Sequence, residues 1–271
     1  MNFIEDIPSS VSELKKRDDW HKWKTAVDEE MNSMKRNNTW TLVKLPPGRK
    51  TVTCKWVFKV KRGDAEKPDW FKARLVARGF TQKLGFDYTE TYSPVAKLDR
   101  LRAVLALANQ KRMFVHGMDV KTAFLNGELA EEIYMTQPDE FQQGNGLVCK
   151  LNRSIYGLKQ ASRAWNDRFH GFISKLGFVR STNDFCLYTR GTGDKLLILV
   201  LYVDDIVLAG SSLKTLEAVK RKLAAEFEMT DEGEIKQFLG MRFERDRMAG
   251  VLKIKQRDYF DGLLKRFRME D

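Results

Sequence analysis

A chain of 271 residues with 42% hydrophobic and 31% charged side chains can bury a core of one large domain or two modest ones. Its formal charge of +11 points to a polyanionic partner or an acidic membrane surface, and eleven Lys/Arg against three Asp/Glu within residues 49–83 concentrate it. Three scattered cysteines and three histidines argue against a zinc site or a disulfide scaffold and fit a reducing compartment; no apolar run is long enough to span a bilayer, and the N-terminus is too charged for a signal peptide.

Within residues 12–37, Trp20, Trp23, Val27, Met31 and Met34 recur at helical spacing, which predicts one amphipathic helix docked on a core. The turn Leu45-Pro46-Pro47-Gly48 leads into a strand over residues 51–61, with Lys55, Lys59 and Lys61 on one face. A polar loop through residues 63–68 follows, then a second strand over 71–78 with Lys72, Arg74 and Arg78 on one face. Cations at alternate positions make either a solvated strand face or a clamp for phosphate oxygens. After Tyr92-Ser93-Pro94 a helix carries Leu98, Leu101, Leu105 and Ala108, and an apolar strand over 113–120 delivers Asp119 near its end.

Residues 133–135 are strand-like, and 151–160 lead into a helix with Trp165, Phe169, Phe172, Ile173 and Leu176 inward. A short strand over 185–188 precedes the most apolar stretch of the chain, residues 196–209, interrupted only by Asp204-Asp205. That pattern predicts a buried β-hairpin with both acids at its tip, where two adjacent carboxylates serve either a plain turn or a cation. A helix carrying Leu216, Val219, Leu223 and Phe227, a strand over 238–243, and a turn, strand and basic helix ending at Arg268 complete the chain.

From Asp119 onward the order is strand, helix, strand, strand, helix, strand. This is the β-α-β-β-α-β plan, a sheet with helices on one face, in which the first strand lies beside the hairpin. Asp119, Asp204 and Asp205 then converge on one sheet edge, a carboxylate set suited to two Mg²⁺ ions. Together with a basic ribbon, this set suggests phosphoryl transfer on a nucleic acid.

Five blocks carry a resemblance. Lys72-Ala73-Arg74-Leu75-Val76-Ala77-Arg78-Gly79-Phe80, Tyr92-Ser93-Pro94-Val95, the stretch from Met118 through Asp119 to Gly127, Tyr156-Gly157-Leu158-Lys159-Gln160, and Tyr202-Val203-Asp204-Asp205 stand in the order and spacing of copia-type LTR-retrotransposon reverse transcriptases. The chain resembles the fingers and palm region of that family's Pol polyprotein. The resemblance implies an α+β right-hand polymerase with an N-terminal helical segment (1–37), fingers (38–97 and 125–160), palm (98–124 and 161–245) and the start of a thumb (246–271). It implies catalytic Asp119, Asp204 and Asp205, a metal set of these three with Val120, and two Mg²⁺ ions, Mn²⁺ being the alternative. Lys72 or Arg74 then holds the incoming triphosphate, Phe124 flanks the sugar and Gln160 contacts the nucleotide. Phe238, Leu239 and Gly240 resemble the primer grip. Partners implied are an RNA or DNA template-primer, dNTPs, and the integrase and ribonuclease H of the same polyprotein, in a cytoplasmic virus-like particle or the nucleus and with no membrane. Since the thumb region stops short at Asp271, the alternative is a non-catalytic, nucleic-acid-binding remnant of a retroelement.

Overall fold

The computed structural model describes residues 8–61 and 69–269, so the polar loop expected over 63–68 lies outside the described residues. The chain forms two compact units, Met1–Ser93 with Phe124–Arg168 and Pro94–Ala123 with Phe169–Asp271.

Unit one begins with α1 (Val11–Leu14) and α2 (Trp20–Arg36). The single helix expected over 12–37 is thus interrupted. At the break Arg17 Nε donates to Asp19 Oδ1 (3.0 Å), and Asp19 Oδ2 accepts from Trp23 Nε1 (3.2 Å), so local side-chain partners fix the start of α2. Strands β1 (Trp40–Lys44), β2 (Thr51–Val52), β3 (Cys54–Lys61) and β4 (Trp70–Ala77) follow. β3 and β4 form an antiparallel ribbon in which Lys59 faces Lys72 and Val57 faces Arg74.

The ribbon's two faces differ sharply. Trp56, Phe58, Ala73 and Leu75 are buried, and Trp23 of α2 meets Phe58 and Phe71 edge-on at 5.5 and 4.7 Å. Such aromatic pairs contribute about 0.5–1.5 kcal/mol each beyond the area they bury. Glu30 of α2 reaches up to accept the Leu75 N–H at 3.1 Å, and burial pushes its carboxyl above the usual range. The opposite face carries Lys55 and Lys59, both exposed, and Lys72 and Arg74, both half-buried.

The chain next builds α3 (Leu98–Gln110) and β5 (Phe114–Val120) of unit two, then a 3₁₀ turn (Ala123–Asn126). It returns to unit one as β6 (Tyr134–Met135) and β7 (Leu147–Leu151), completing a sheet of order β1-β7-β6-β2. Helix α4 (Ala161–Lys175) leads out of that unit. Unit two continues with β8 (Val179–Arg180), β9 (Leu187–Arg190), β10 (Leu197–Tyr202), β11 (Asp205–Gly210), α5 (Leu213–Glu226), β12 (Met229–Glu234), β13 (Gln237–Phe238), β14 (Met241–Asp246), β15 (Val251–Lys255) and α6 (Arg257–Phe267).

The central sheet of unit two runs β12-β5-β11-β10-β9-β8, every neighbouring pair antiparallel. Elements β5, α4, β10, β11, α5 and β12 follow the β-α-β-β-α-β plan, and β5 lies directly beside β11 as the plan requires. One detail departs from expectation. The closing strand is β12, and residues 238–243 form a hairpin, because Leu239 (φ 49°) and Gly240 (φ 76°) turn left-handed and reverse the chain. The two helices of that plan, α4 and α5, share one face of the sheet, and α3, which precedes the plan in the chain, covers the other. Phe169 and Phe172 of α4 pack with Phe227 and Tyr188 on one side, while Leu101, Leu105 and Ala108 of α3 join Phe238, Met241 and Phe243 over Val115, Val200 and Val207 on the other. Among the described residues, no helix is long and apolar enough to cross a membrane.

Candidate functional site

The apolar run ending in two acids becomes β10 and β11 because Leu, Ile and Val suit a strand buried on both faces. Six residue pairs fix the register, from Leu197 opposite Gly210 to Tyr202 opposite Asp205, leaving Val203 and Asp204 as the loop. Val203 sits at φ 55°. A β-branched residue there costs on the order of 1–3 kcal/mol and is held only where its surroundings over-determine it. Here the ladder holds one side, and on the other the Val120 N–H donates to the Asp204 carbonyl at 2.8 Å.

Strand β5 brings the third acid. Asp119 is the direct cross-strand partner of Asp205, so these two carboxylates share one face of the sheet. Asp119, Asp204 and Asp205 are each half-buried. The backbone therefore juxtaposes the three as expected. Among the described residues, no three acidic, histidine or cysteine side chains form a ready-made metal-binding group. Hard carboxylate oxygens are nonetheless the donors that Mg²⁺ or Mn²⁺ takes, so the residue set fits such an ion. Val120, expected in the metal set, is buried and contributes its N–H to the turn.

A fourth acid escaped the sequence. Strand β12 bulges between Asp231 and Gly233, and Glu232 is the residue without an opposite number. Its carboxylate folds over Gly117, where a Cβ would stand 2.7 Å from Glu232 Oε2. Burial, then the Asp119 charge, pushes the Glu232 carboxyl above its usual range. Only the bulge puts it there, and six residues reading Met-Thr-Asp-Glu-Gly-Glu show no strand alternation to announce one. On the helix side of β5, Lys220 Nζ lies 3.0 Å from His116 Nδ1 and 2.5 Å from Asp231 Oδ2.

In unit one a second group assembles around Tyr156. Arg74 lies over its ring at 5.0 Å and Phe124 meets it edge-on at 4.9 Å. Lys72 points elsewhere, its Nζ 5.3 Å from the exposed Trp70 ring. Gln160 precedes α4 and is only 4% exposed. Its oxygen accepts from Gln82 Nε2 (3.0 Å), and its Nε2 donates to the Asp87 carbonyl (2.8 Å) and Glu131 Oε2 (3.3 Å). Tyr156 stood in a recognisable block and Gln82 lies two residues beyond one, but no periodicity marks a ring that bridges two others. Of the residues resembling a primer grip, Phe238 is buried in the core beside Met241, while Leu239 and Gly240 form the hairpin turn.

Comparison with known families settles the class. The family model "Reverse transcriptase (RNA-dependent DNA polymerase)" matches residues 37–271. The chain belongs to the reverse transcriptase family. This reverse transcriptase domain is 40% identical over 267 residues to the retrovirus-related Pol polyprotein from transposon TNT 1-94 of Nicotiana tabacum, covering 97% of the chain and 20% of the relative. It is 37% identical over 251 residues to the corresponding polyprotein from transposon RE1 of Arabidopsis thaliana, covering 92% of the chain and 17% of the relative. The transposon Ty1-GR3 Gag-Pol polyprotein of Saccharomyces cerevisiae is 25% identical over 214 residues, 76% of the chain and 12% of the relative. The chain thus spans at most about a fifth of the length of these polyproteins.

Proposed function

We propose that this reverse transcriptase domain copies RNA into DNA, joining the α-phosphorus of a dNTP to a primer 3′-oxygen as pyrophosphate leaves. The observation that carries this is the register placing Asp119 opposite Asp205, with Asp204 in the strained turn beside them. Asp119 and Asp204 are the main ligands for two Mg²⁺ ions, with Asp205 and the main chain at Val120 in support. When bound, such ions acidify the attacking hydroxyl and neutralise the leaving phosphates. The chain's own task is to present fixed negative charge at one sheet edge, on strands too well paired to shift.

Unit one serves as fingers and unit two as palm, with residues 246–271 beginning a thumb. Of the two candidate cations, Arg74 is the triphosphate ligand. Its guanidinium shares Tyr156 with Phe124, the residue assigned to the sugar, whereas Lys72 is engaged at Trp70. A planar guanidinium also matches phosphate oxygens in pairs. Gln160 holds the nucleotide-side wall through Gln82 and Asp87, and Phe238, Leu239 and Gly240 orient the primer end. Template-primer, dNTPs and the remaining segments of a Pol polyprotein are the partners, within a virus-like particle. The test is an RNA template of defined sequence, an annealed DNA primer, all four dNTPs and Mg²⁺. Primer extension in the complementary order supports the proposal; binding of the duplex with no templated addition leaves a non-catalytic nucleic-acid-binding remnant.

A further inference from the structure

Tyr156 sits between two residues that the proposed function assigns to different parts of one substrate. The Arg74 guanidinium carbon lies 5.0 Å from its ring centroid, and the Phe124 ring meets it at 4.9 Å and 65°. Its main chain is fixed as firmly as its ring. The Tyr156 carbonyl accepts the Ala77 N–H at 2.8 Å, tying it to the end of β4, the strand that carries Arg74. Gly157 follows at φ 88°, so close that a Cβ would lie 2.1 Å from the Ala77 oxygen. Arg74 also has its Nε buried with no hydrogen-bond partner among the described residues, so the ring face supports the cation beside the charge of Glu30.

We infer that Tyr156 is a positioning residue that couples the triphosphate grip of Arg74 to the sugar discrimination of Phe124. The inference rests on the reading that Arg74 and Phe124 meet the nucleotide. One ring carries both: its face seats the guanidinium, and its flank stops Phe124 from yielding when a 2′-hydroxyl presses on it. Rejection of a ribose depends on a repulsive element that cannot move, so a softened Phe124 admits ribonucleotides. Loss of the ring therefore weakens triphosphate capture and sugar choice together, through two residues that do not themselves change.

The experiment compares Tyr156→Leu, Tyr156→Met and Tyr156→Phe with wild type, measuring dGTP and GTP incorporation on poly(rC) primed with oligo(dG), in protein checked for folding by circular dichroism. Removing the ring raises the dGTP KM by about three- to tenfold, between what an exposed and a fully desolvated cation–π contact supply, as suits the half-buried Arg74. It also lowers the dGTP-to-GTP ratio by a similar factor, with kcat for dGTP falling less than KM rises. Tyr156→Phe keeps the ring and restores both parameters. Arg74→Ala and Phe124→Val separate the two layers of reasoning. If they move KM and the sugar ratio while Tyr156→Leu and Tyr156→Met do not, the coupling is wrong and the nucleotide assignments stand. If neither moves them, or wild type extends nothing, the assignments fail and the coupling with them. A ring-removing variant that loses both nucleotides equally, with an unchanged ratio, also overturns the coupling, because that is what general destabilisation produces.

Discussion

Asp119→Asn gives opposite results for stability and for catalysis. Asp119 and Asp205 are cross-strand partners, and directly opposed residues hold their Cβ atoms about 4.5–5.5 Å apart. Two unit charges about 5 Å apart repel by roughly 0.8 kcal/mol in water and roughly 3 kcal/mol at an effective dielectric of 20. Both side chains are half-buried, so solvent screening brings the cost toward the lower figure, about 0.5–1 kcal/mol. Asparagine keeps the shape and removes the repulsion, so in EDTA the variant is the more stable protein, by about 1–3 °C in melting temperature. Because the chain forms two compact units, the signal should come from unit two, for example exchange of the β5 and β11 amides. Adding Mg²⁺ reverses the order. An ion held by the native carboxylates stabilises wild type as its concentration passes the dissociation constant, and the variant gains less. A variant less stable than wild type in EDTA would refute the account of mutual repulsion between these two opposed carboxylates.

Three further outcomes are open to measurement. Gly157→Ala forces a Cβ to within 2.1 Å of the Ala77 carbonyl at φ 88°, so unit one should lose more than about 3 kcal/mol of stability, read by urea unfolding of its tryptophan signal; a loss below about 1 kcal/mol would show that the close approach relaxes freely. Burial, then the Lys220 charge, holds the His116 imidazole below its usual pKa, so the unfolded chain takes up the proton first. Stability from this group is therefore complete above about pH 6.5 and declines as the pH falls below it, and His116→Gln should flatten the melting temperature between about pH 7.5 and 5.5; an identical profile in the variant contradicts it. Replacing exposed Lys55 and Lys59 with Ala should weaken template-primer binding alike for all sequences and reduce the log–log salt slope by about one unit per lysine, whereas an unchanged slope removes the ribbon face from the nucleic-acid contact.

What the sequence made legible was the part dominated by short-range pattern. The run around Asp204 and Asp205 is apolar on both sides, so the hairpin followed from composition, and the β-α-β-β-α-β order then put β5 beside β11. What stayed hidden depends on tertiary partners. β12 is polar, with three acids and a glycine in six residues, and becomes a strand because β5 offers it an edge. Strands β1 and β7 pair across more than a hundred residues and carry mixed patterns that read as loop. The break after α1 and the hairpin at Leu239 and Gly240 reflect local side-chain pairing around Asp19 and left-handed backbone, neither visible as periodicity. In the site, the acids were legible as types at spacings, while Glu232 over Gly117 and Tyr156 between Arg74 and Phe124 exist only once the chain is folded.

The central claim is RNA-templated DNA synthesis at the edge formed by Asp119, Asp204 and Asp205, and its most direct measurement is dTTP incorporation on poly(rA) primed with oligo(dT), in Mg²⁺, for wild type and Asp119→Asn at equal template-primer occupancy. The account predicts Mg²⁺-dependent extension by wild type, abolished by EDTA, and none above background from the variant although it binds the duplex as tightly. Extension by Asp119→Asn at the wild-type rate would contradict it, and so would a wild type that binds but never extends.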